Sequence, residues 1–503
     1  MRLTIHAAIL FFCLATPTFA QLNETNQTVR PITLDESVQL ALRQNLNLQI
    51  ARYNTRIAGA QLRGAYSYYD PEFRTDYSYN FIAREGRIDP TTGLQLRPGE
   101  TKFDQMSAGF IGATPWGLRY DLGMDVTYNS RFDPSLGGLG RSREYQVDAG
   151  IALTQPLLRD FMIDAGRAQI LLNRKTMQIN EHLLEQRIMQ TVRDVSLAYY
   201  DLSAARDFVR AAEKALERAR RLVVENRRRV EVGTMAPLDE KQAESEEALR
   251  QADLIAAQRE VSFRENILKN LITDHYEKWF NDSLHPSEPL VAIPQEFSRN
   301  ASWLSGVTLR PDYKQLQAQV ERQGIQVRLA RNAQLPALDL TGSYGRSGID
   351  RGFSSALGEV KDERLPRYSG GVIFSIPLFN RGAKADYESA RLQREQLIAQ
   401  LQQFHQQIMV ELADAMTEAQ SALQRVAATR KAREFSEAAL SAEERKLESG
   451  RSTSFNVLQF QRDLTEAQAQ EIRALADYNN ALTVLYYNEG TILQRNKLDV
   501  TYR

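Results

Sequence analysis

The residues best placed to do chemistry in this chain are charged, and the chemistry they suit is pairing rather than bond making. Arg218, Arg220, Arg221, Arg227, Arg228 and Arg229 precede Gly233, and Asp239, Glu240, Glu244, Glu246 and Glu247 follow it. Cations at the C-terminus of one helix and anions at the N-terminus of the next match the helix dipoles, and they pair across an antiparallel hairpin. Histidine adds no reactive centre: His182, His275, His285 and His405 are scattered without metal-ligand spacing. The chain shows no nucleophile motif and no Gly-rich phosphate loop with a lysine. Its one cysteine, Cys13, lies in an N-terminal apolar run. Disulfides, thiolate metal sites and a cysteine nucleophile are thereby excluded from the mature chain. The reading implies no catalytic residue, no cofactor and no resident metal.

That apolar run is read as a secretory signal peptide over residues 1–20. Arg2 supplies the charge, Ala7 to Ala15 the apolar stretch, and Thr18-Phe19-Ala20 the small-residue cleavage site. The 63 basic and 63 acidic residues balance, which gives no reason to expect nucleic acid as a partner. No later apolar stretch is long enough for a spanning helix. A secreted chain of this kind is periplasmic, extracellular, or a β-barrel in an outer membrane.

The elements that would position the charges are written twice. Residues 45–79 and 310–344 align without a gap: Gly59, Gln61, Arg63, Ala65, Pro71, Ser78 and Tyr79 recur as Gly324, Gln326, Arg328, Ala330, Pro336, Ser343 and Tyr344. Each half reads helix, strands, long helix, glycine turn, helix, so the architecture is a duplicated helix–strand repeat. Residues 162–232 and 382–449 lack proline and carry apolar residues every three to four positions. Each would form a helix about 100 Å long, which requires coiled-coil partners. Shorter helices are expected over 33–68, 236–272, 308–334 and 453–487. The tail after Gly490 is expected to meet the segment before Pro31.

Six segments alternate with period two: 72–82, 103–113, 118–130, 144–157, 336–347 and 367–379. Their length suits tilted strands crossing a bilayer, with an apolar face to lipid and a polar face to a wet lumen. A soluble sandwich alternates in the same way. The signal peptide, the missing cysteines and the helices favour the barrel. Thr114-Pro115-Trp116-Gly117 reads as a short periplasmic turn, and the stretches near 83–102, 131–143 and 348–366 as long outer loops.

These features resemble the TolC-like outer membrane efflux family. The resemblance rests on the duplication, on the strand ends Gln155-Pro156-Leu157 and Pro377-Leu378-Phe379, and on two hairpin tips. The tips read Val232-Gly233-Thr234-Met235-Ala236-Pro237-Leu238-Asp239 and Ser449-Gly450-Arg451-Ser452-Thr453-Ser454-Phe455-Asn456-Val457-Leu458. It implies a mainly helical chain with membrane β-structure: a long coiled-coil α-barrel plus a transmembrane β-barrel, completed by a homotrimer. It also implies a periplasmic adaptor, an inner-membrane pump and outer membrane lipid as partners. Gly233, Thr234, Asp239, Gly450, Thr453 and Asn456 match the family's periplasmic gate and adaptor-docking tips. The second tip departs, with Asn456 and Gln459 where some members carry pore aspartates and Leu447 where the best-known member has a gate tyrosine. Family barrels use four strands per protomer, whereas six are read here. The pair 103–113 and 118–130 is thus either extra barrel wall, making eighteen strands rather than twelve, or a hairpin beside the barrel.

The expected organisation is a signal peptide (1–20), a first repeat (21–272), an equatorial linker (273–307), a second repeat (308–490) and a tail (491–503). The function implied is a passive exit duct from periplasm to exterior, in tripartite efflux or type I secretion, with no enzymatic activity. The alternative is a non-channel periplasmic coiled-coil scaffold.

Overall fold

The computed structural model describes residues 28–85, 88, 91–93, 95, 99–132, 141–362 and 365–498. The expected signal peptide and Cys13 lie outside these residues. In chain order the elements are β1 (Val29–Ile32), α1 (Leu34–Gln44), α2 (Leu46–Ala65), β2 (Glu72–Arg84), β3 (Gly99–Ala113), β4 (Arg119–Phe132), β5 (Arg141–Pro156), α3 (Ala165–Glu231), α4 (Pro237–Ile272), α5 (Tyr276–Trp279), β6 (Ser283–Pro286), α6 (Arg299–Leu309), α7 (Pro311–Ala333), β7 (Ala337–Asp350), α8 (Phe353–Lys361), β8 (Leu365–Ser375), α9 (Arg381–Glu448), α10 (Ser454–Glu489) and α11 (Ile492–Arg495). The long helices match in length, 67 residues in α3 against 68 in α9, and α4 and α10 have 36 residues each.

The helix expected over 33–68 is broken at Asn45, while the one expected over 308–334 forms as α7 and is preceded by a further helix, α6. Arg310 takes φ −61° and ψ 122° because Pro311 drives the preceding residue out of the helical region. Asn45 takes φ −61° and ψ 120° at the matching place without a proline, and its side-chain amide donates to the Leu271 carbonyl at 2.8 Å. Helix α6 therefore begins inside the segment read as linker.

Contacts divide the chain into two units. The sheet unit comprises residues 46–193, 294–422 and those from 481 on. Its six strands run in the order β2-β3-β4-β5-β7-β8, every neighbouring pair antiparallel. The β3–β4 hairpin lies inside this continuous sheet, which removes the reading that it folds beside the barrel. Thr114 to Gly117 forms the tight turn, with the Gly117 N–H on the Thr114 carbonyl at 2.9 Å and φ +92° at Gly117.

Alternation sorts the sheet into two faces. One row of the polar face runs Asp76, Ser107, Asp125, Asp148 and Ser347 in register. The adjacent row is Arg74, Gly109, Gly123, Gly150, Gly345 and Arg367. A Cβ on Gly150 would lie 2.7 Å from the Tyr344 carbonyl oxygen, and one on Gly109 2.8 Å from that of Leu122. Four glycines in register let the backbones close up on this face. The opposite face carries Phe73, Tyr77, Phe110, Leu122, Val126, Val147, Ile151, Leu340 and Val372. The stretch expected to be loop over 348–366 instead contains helix α8. Its Ala356 and Val360 bury against Val147 on the apolar face.

The hairpin unit comprises residues 28–45, 194–293 and 423–480. Strands β1 and β6 pair in parallel, so residues 29–32 join the segment read as linker. Buried tyrosines hold these segments to the helices. The Tyr199 hydroxyl donates to the Ile32 carbonyl at 3.3 Å, and that of Tyr478 donates to the Ile293 carbonyl at 2.5 Å. The Thr33 hydroxyl caps α1 by accepting from the Glu36 N–H at 3.1 Å.

Candidate functional site: the hairpin tips

Both tips turn by the same device. Gly233 has φ +77° and Gly450 φ +74°, a conformation that suits glycine at a helix stop. The N–H of Thr234 donates to the Arg229 carbonyl at 2.8 Å, and that of Arg451 to the Lys446 carbonyl at 2.8 Å. These are the bonds that satisfy the last carbonyls of α3 and α9. Past the first turn, Pro237 occupies the first helical position of α4, where its missing N–H costs nothing. Past the second, the Thr453 hydroxyl accepts from the Asn456 N–H at 3.4 Å.

The tips are joined to each other. Asn226, fully buried near the end of α3, donates from Nδ2 to the Asp239 carbonyl at 3.1 Å and to the Ser454 hydroxyl at 2.7 Å. Arg229 Nη1 donates to the Leu447 carbonyl at 3.2 Å. Leu222, Val223, Ala243, Leu440, Leu447, Val457 and Leu458 share one apolar cluster. Leu447, 6 % exposed, packs within this cluster.

The arginine run pairs as the dipole argument requires. Arg227 reaches Glu240 at 3.0 Å and Glu244 at 3.4 Å, and Arg220 reaches Glu247 at 3.1 Å, all from α3 to α4. The strongest link is further from the turns. Glu246 of α4, 2 % exposed, takes Arg250 and, from α10, Arg462 at 2.6 Å each. Burial alone would raise this carboxyl, but the hydrogen bonds from Arg462 and Arg250 outweigh it and hold it below the ordinary glutamate range. Glu443 is held low by its bonds from Lys446 and Ser452.

Of the six tip residues singled out in the sequence, Gly233, Thr234, Gly450, Thr453 and Asn456 are exposed and Asp239 is half-buried. The Asp239 carboxylate has no ion-pair partner among the described residues, while its backbone carbonyl takes the Asn226 bond. Gln459 is spent on Asp463 at 3.1 Å. Sequence reasoning missed Asn226 and the Glu246–Arg462 pair, whose partners lie far apart in the chain. Val232, Leu238 and Phe455 stand 73 %, 66 % and 58 % exposed at the turns. Among the described residues no group of His, Cys, Asp or Glu is arranged to hold a metal.

Residues 118–273 and 308–490 match the family model of outer membrane efflux proteins. The chain belongs to that family. It is 25 % identical over 335 residues to the outer membrane efflux protein BepC of Brucella suis biovar 1 (strain 1330), covering 65 % of this chain and 68 % of that one. Its fold is similar to the outer-membrane channel OprN (TM-score 0.67, 17 % identity, 91 % of this chain and 90 % of that one). It is also similar to the CmeC outer membrane channel of Campylobacter jejuni (TM-score 0.65, 16 % identity, 99 % of each chain). The protein is an outer-membrane efflux duct of the kind that has a large periplasmic helical part.

Proposed function

We propose that three copies of this chain close one barrel and one helical tunnel, forming the passive exit duct of a tripartite exporter. The observation that carries this reading is the pair of bare sheet edges. Strands β2 and β8 end the sheet, and all thirteen residues of β2 and all eleven of β8 are exposed in the protomer. An open edge cannot stand in hydrocarbon, where each unpaired backbone group costs several kcal/mol, so β8 of one copy pairs with β2 of the next. Three sheets of six strands make eighteen.

The tips are the periplasmic entrance, and the exposed Val232, Leu238 and Phe455 form the apolar contact for an adaptor. Gly233, Thr234, Asp239, Gly450, Thr453 and Asn456 shape that surface. The driving energy comes from an inner-membrane pump, and the duct passes cargo without altering it. The test replaces Leu238 and Phe455 with Asp together. Export in the native host should fail while oligomer yield and single-channel conductance stay unchanged. Normal export at equal expression would remove the tips as the docking surface.

A further inference from the structure

We propose that helix α8 is an interfacial helix, lying on the outside of the barrel wall in the polar headgroup zone of the outer leaflet, where it fixes the depth of the barrel. The inference rests on the barrel reading and adds a lipid contact to it. Phe353, Ala356, Leu357 and Val360 fall at helical spacing on one stripe, and Ser354, Ser355, Glu359 and Lys361 lie off it. The stripe packs on Met124, Val126, Tyr145, Val147 and Ala149, with Val147 and Ala356 fully buried. Gly348 permits the approach, since a Cβ there would meet the Ala356 carbonyl oxygen at 1.9 Å. Phe353 lies edge-on to Tyr145 with ring centres 6.2 Å apart. The Glu359 carboxylate accepts from the Ile349 N–H at 3.0 Å, tying the helix back to β7.

All of these wall residues belong to the face opposite the glycine row and the carboxylates, so α8 lies outside the lumen. Its height follows from the register. The strand ends that lead to α2, α3, α7 and α9 share one end of the sheet with the Thr114–Gly117 turn, so α8 is at the outer end. The outermost apolar row is Tyr77, Met106, Val126, Val147 and Gly348. The next row outward is Tyr79, Asp104, Tyr128, Tyr145 and Asp350. Three tyrosines with two carboxylates mark a headgroup boundary rather than hydrocarbon. Helix α8 covers both rows on β5, at Val147 and Tyr145, and reaches Met124 and Ala149 one row further in. Ser354, Ser355 and Lys361 are exposed on it, a polar side that hydrocarbon would reject and headgroups accept.

The lone cysteine makes the test clean. In a Cys13→Ser chain, Ser355→Cys and, separately, Tyr344→Cys are labelled with an environment-sensitive fluorophore. The labelled protein is placed in phosphatidylethanolamine–phosphatidylglycerol vesicles carrying a nitroxide on the headgroup or at mid-chain. The Ser355 label should be quenched at least about twofold more by the headgroup nitroxide than by the mid-chain one, and the Tyr344 label, midway between the Thr114–Gly117 turn and the Gly348 row, the reverse. Adding Val360→Asp should release the helix, so that the Ser355 label loses lipid quenching and gains quenching by aqueous iodide. A Ser355 label insensitive to both lipids, or quenched mainly at mid-chain, overturns the proposal. So does a label depth unchanged by Val360→Asp. A Tyr344 label that no lipid quenches would instead sink the barrel reading itself.

Discussion

The tie at Asn226 makes the sharpest prediction. One buried amide joins the start of α4 to the start of α10, so the two hairpins cannot part at their tips without breaking it. Asn226→Ala removes both bonds. An unsatisfied buried partner costs about 1–3 kcal/mol. Asp239 is only half-buried, and the substitution also removes the buried, unpartnered Oδ1 of Asn226, which places the total near the lower end, about 1–2 kcal/mol. If closed tips hold this tie and open tips do not, the closed-to-open balance shifts about five- to thirty-fold. Single-channel recording reads it directly as a higher open probability at unchanged full conductance. Ser454→Ala should give a smaller shift, and the double variant should add little to Asn226→Ala, because the two residues share one bond. An open probability unchanged in both single variants would refute the idea that this link restrains the tips.

Other consequences are simpler to measure. Glu246→Gln should destabilise the helical part by about 1–2 kcal/mol, less than a fully buried pair would, because Arg462 is half exposed. The Glu246 carboxyl is depressed below its ordinary value of 4.5, so its contribution is complete above that pH and disappears as pH falls through the lower folded value. Denaturant midpoints of the two proteins should therefore differ at pH 7 and converge in acid. His285 is also lowered, from 6.5, by burial first and then by Arg206, whose Nη1 donates to its Nε2 at 3.0 Å. For a base held neutral, the unfolded chain takes the proton first. Stability should thus fall as pH drops from 6.5 towards the folded value, and His285→Asn should flatten that slope. Gly150→Ala places a Cβ 2.7 Å from the Tyr344 oxygen. Assembled oligomer in membranes should drop sharply, whereas Gly370→Ala, with open space around it, should assemble normally.

The parts of this fold that repeat at short range were legible in the sequence. Period-two alternation marked all six strands, and proline-free apolar spacing marked α3 and α9 to within about three residues. The tip glycines were legible because a helix stop with positive φ favours that residue type. What escaped was set by distant partners. Asn226 sits in an arginine-rich helix with no local signal, and Ser454, which it meets, is 228 positions away. Glu246 and Arg462 are 216 positions apart, and each reads locally as one more surface charge. Helix α8 hid in a glycine-rich stretch, because a nine-residue amphipathic pattern is short and its apolar stripe is explained only by the wall it covers. The break at Arg310 was announced by Pro311, but its twin at Asn45 carries no such mark.

The central claim is that this chain becomes a duct only when three sheets close. The most direct measurement is the native mass of protein extracted from outer membranes in mild detergent, followed by conductance in a planar bilayer. The account predicts a trimer that conducts. A monomer recovered from the soluble periplasmic fraction, or a trimer that passes no ions with its tips released by Asn226→Ala, would contradict it.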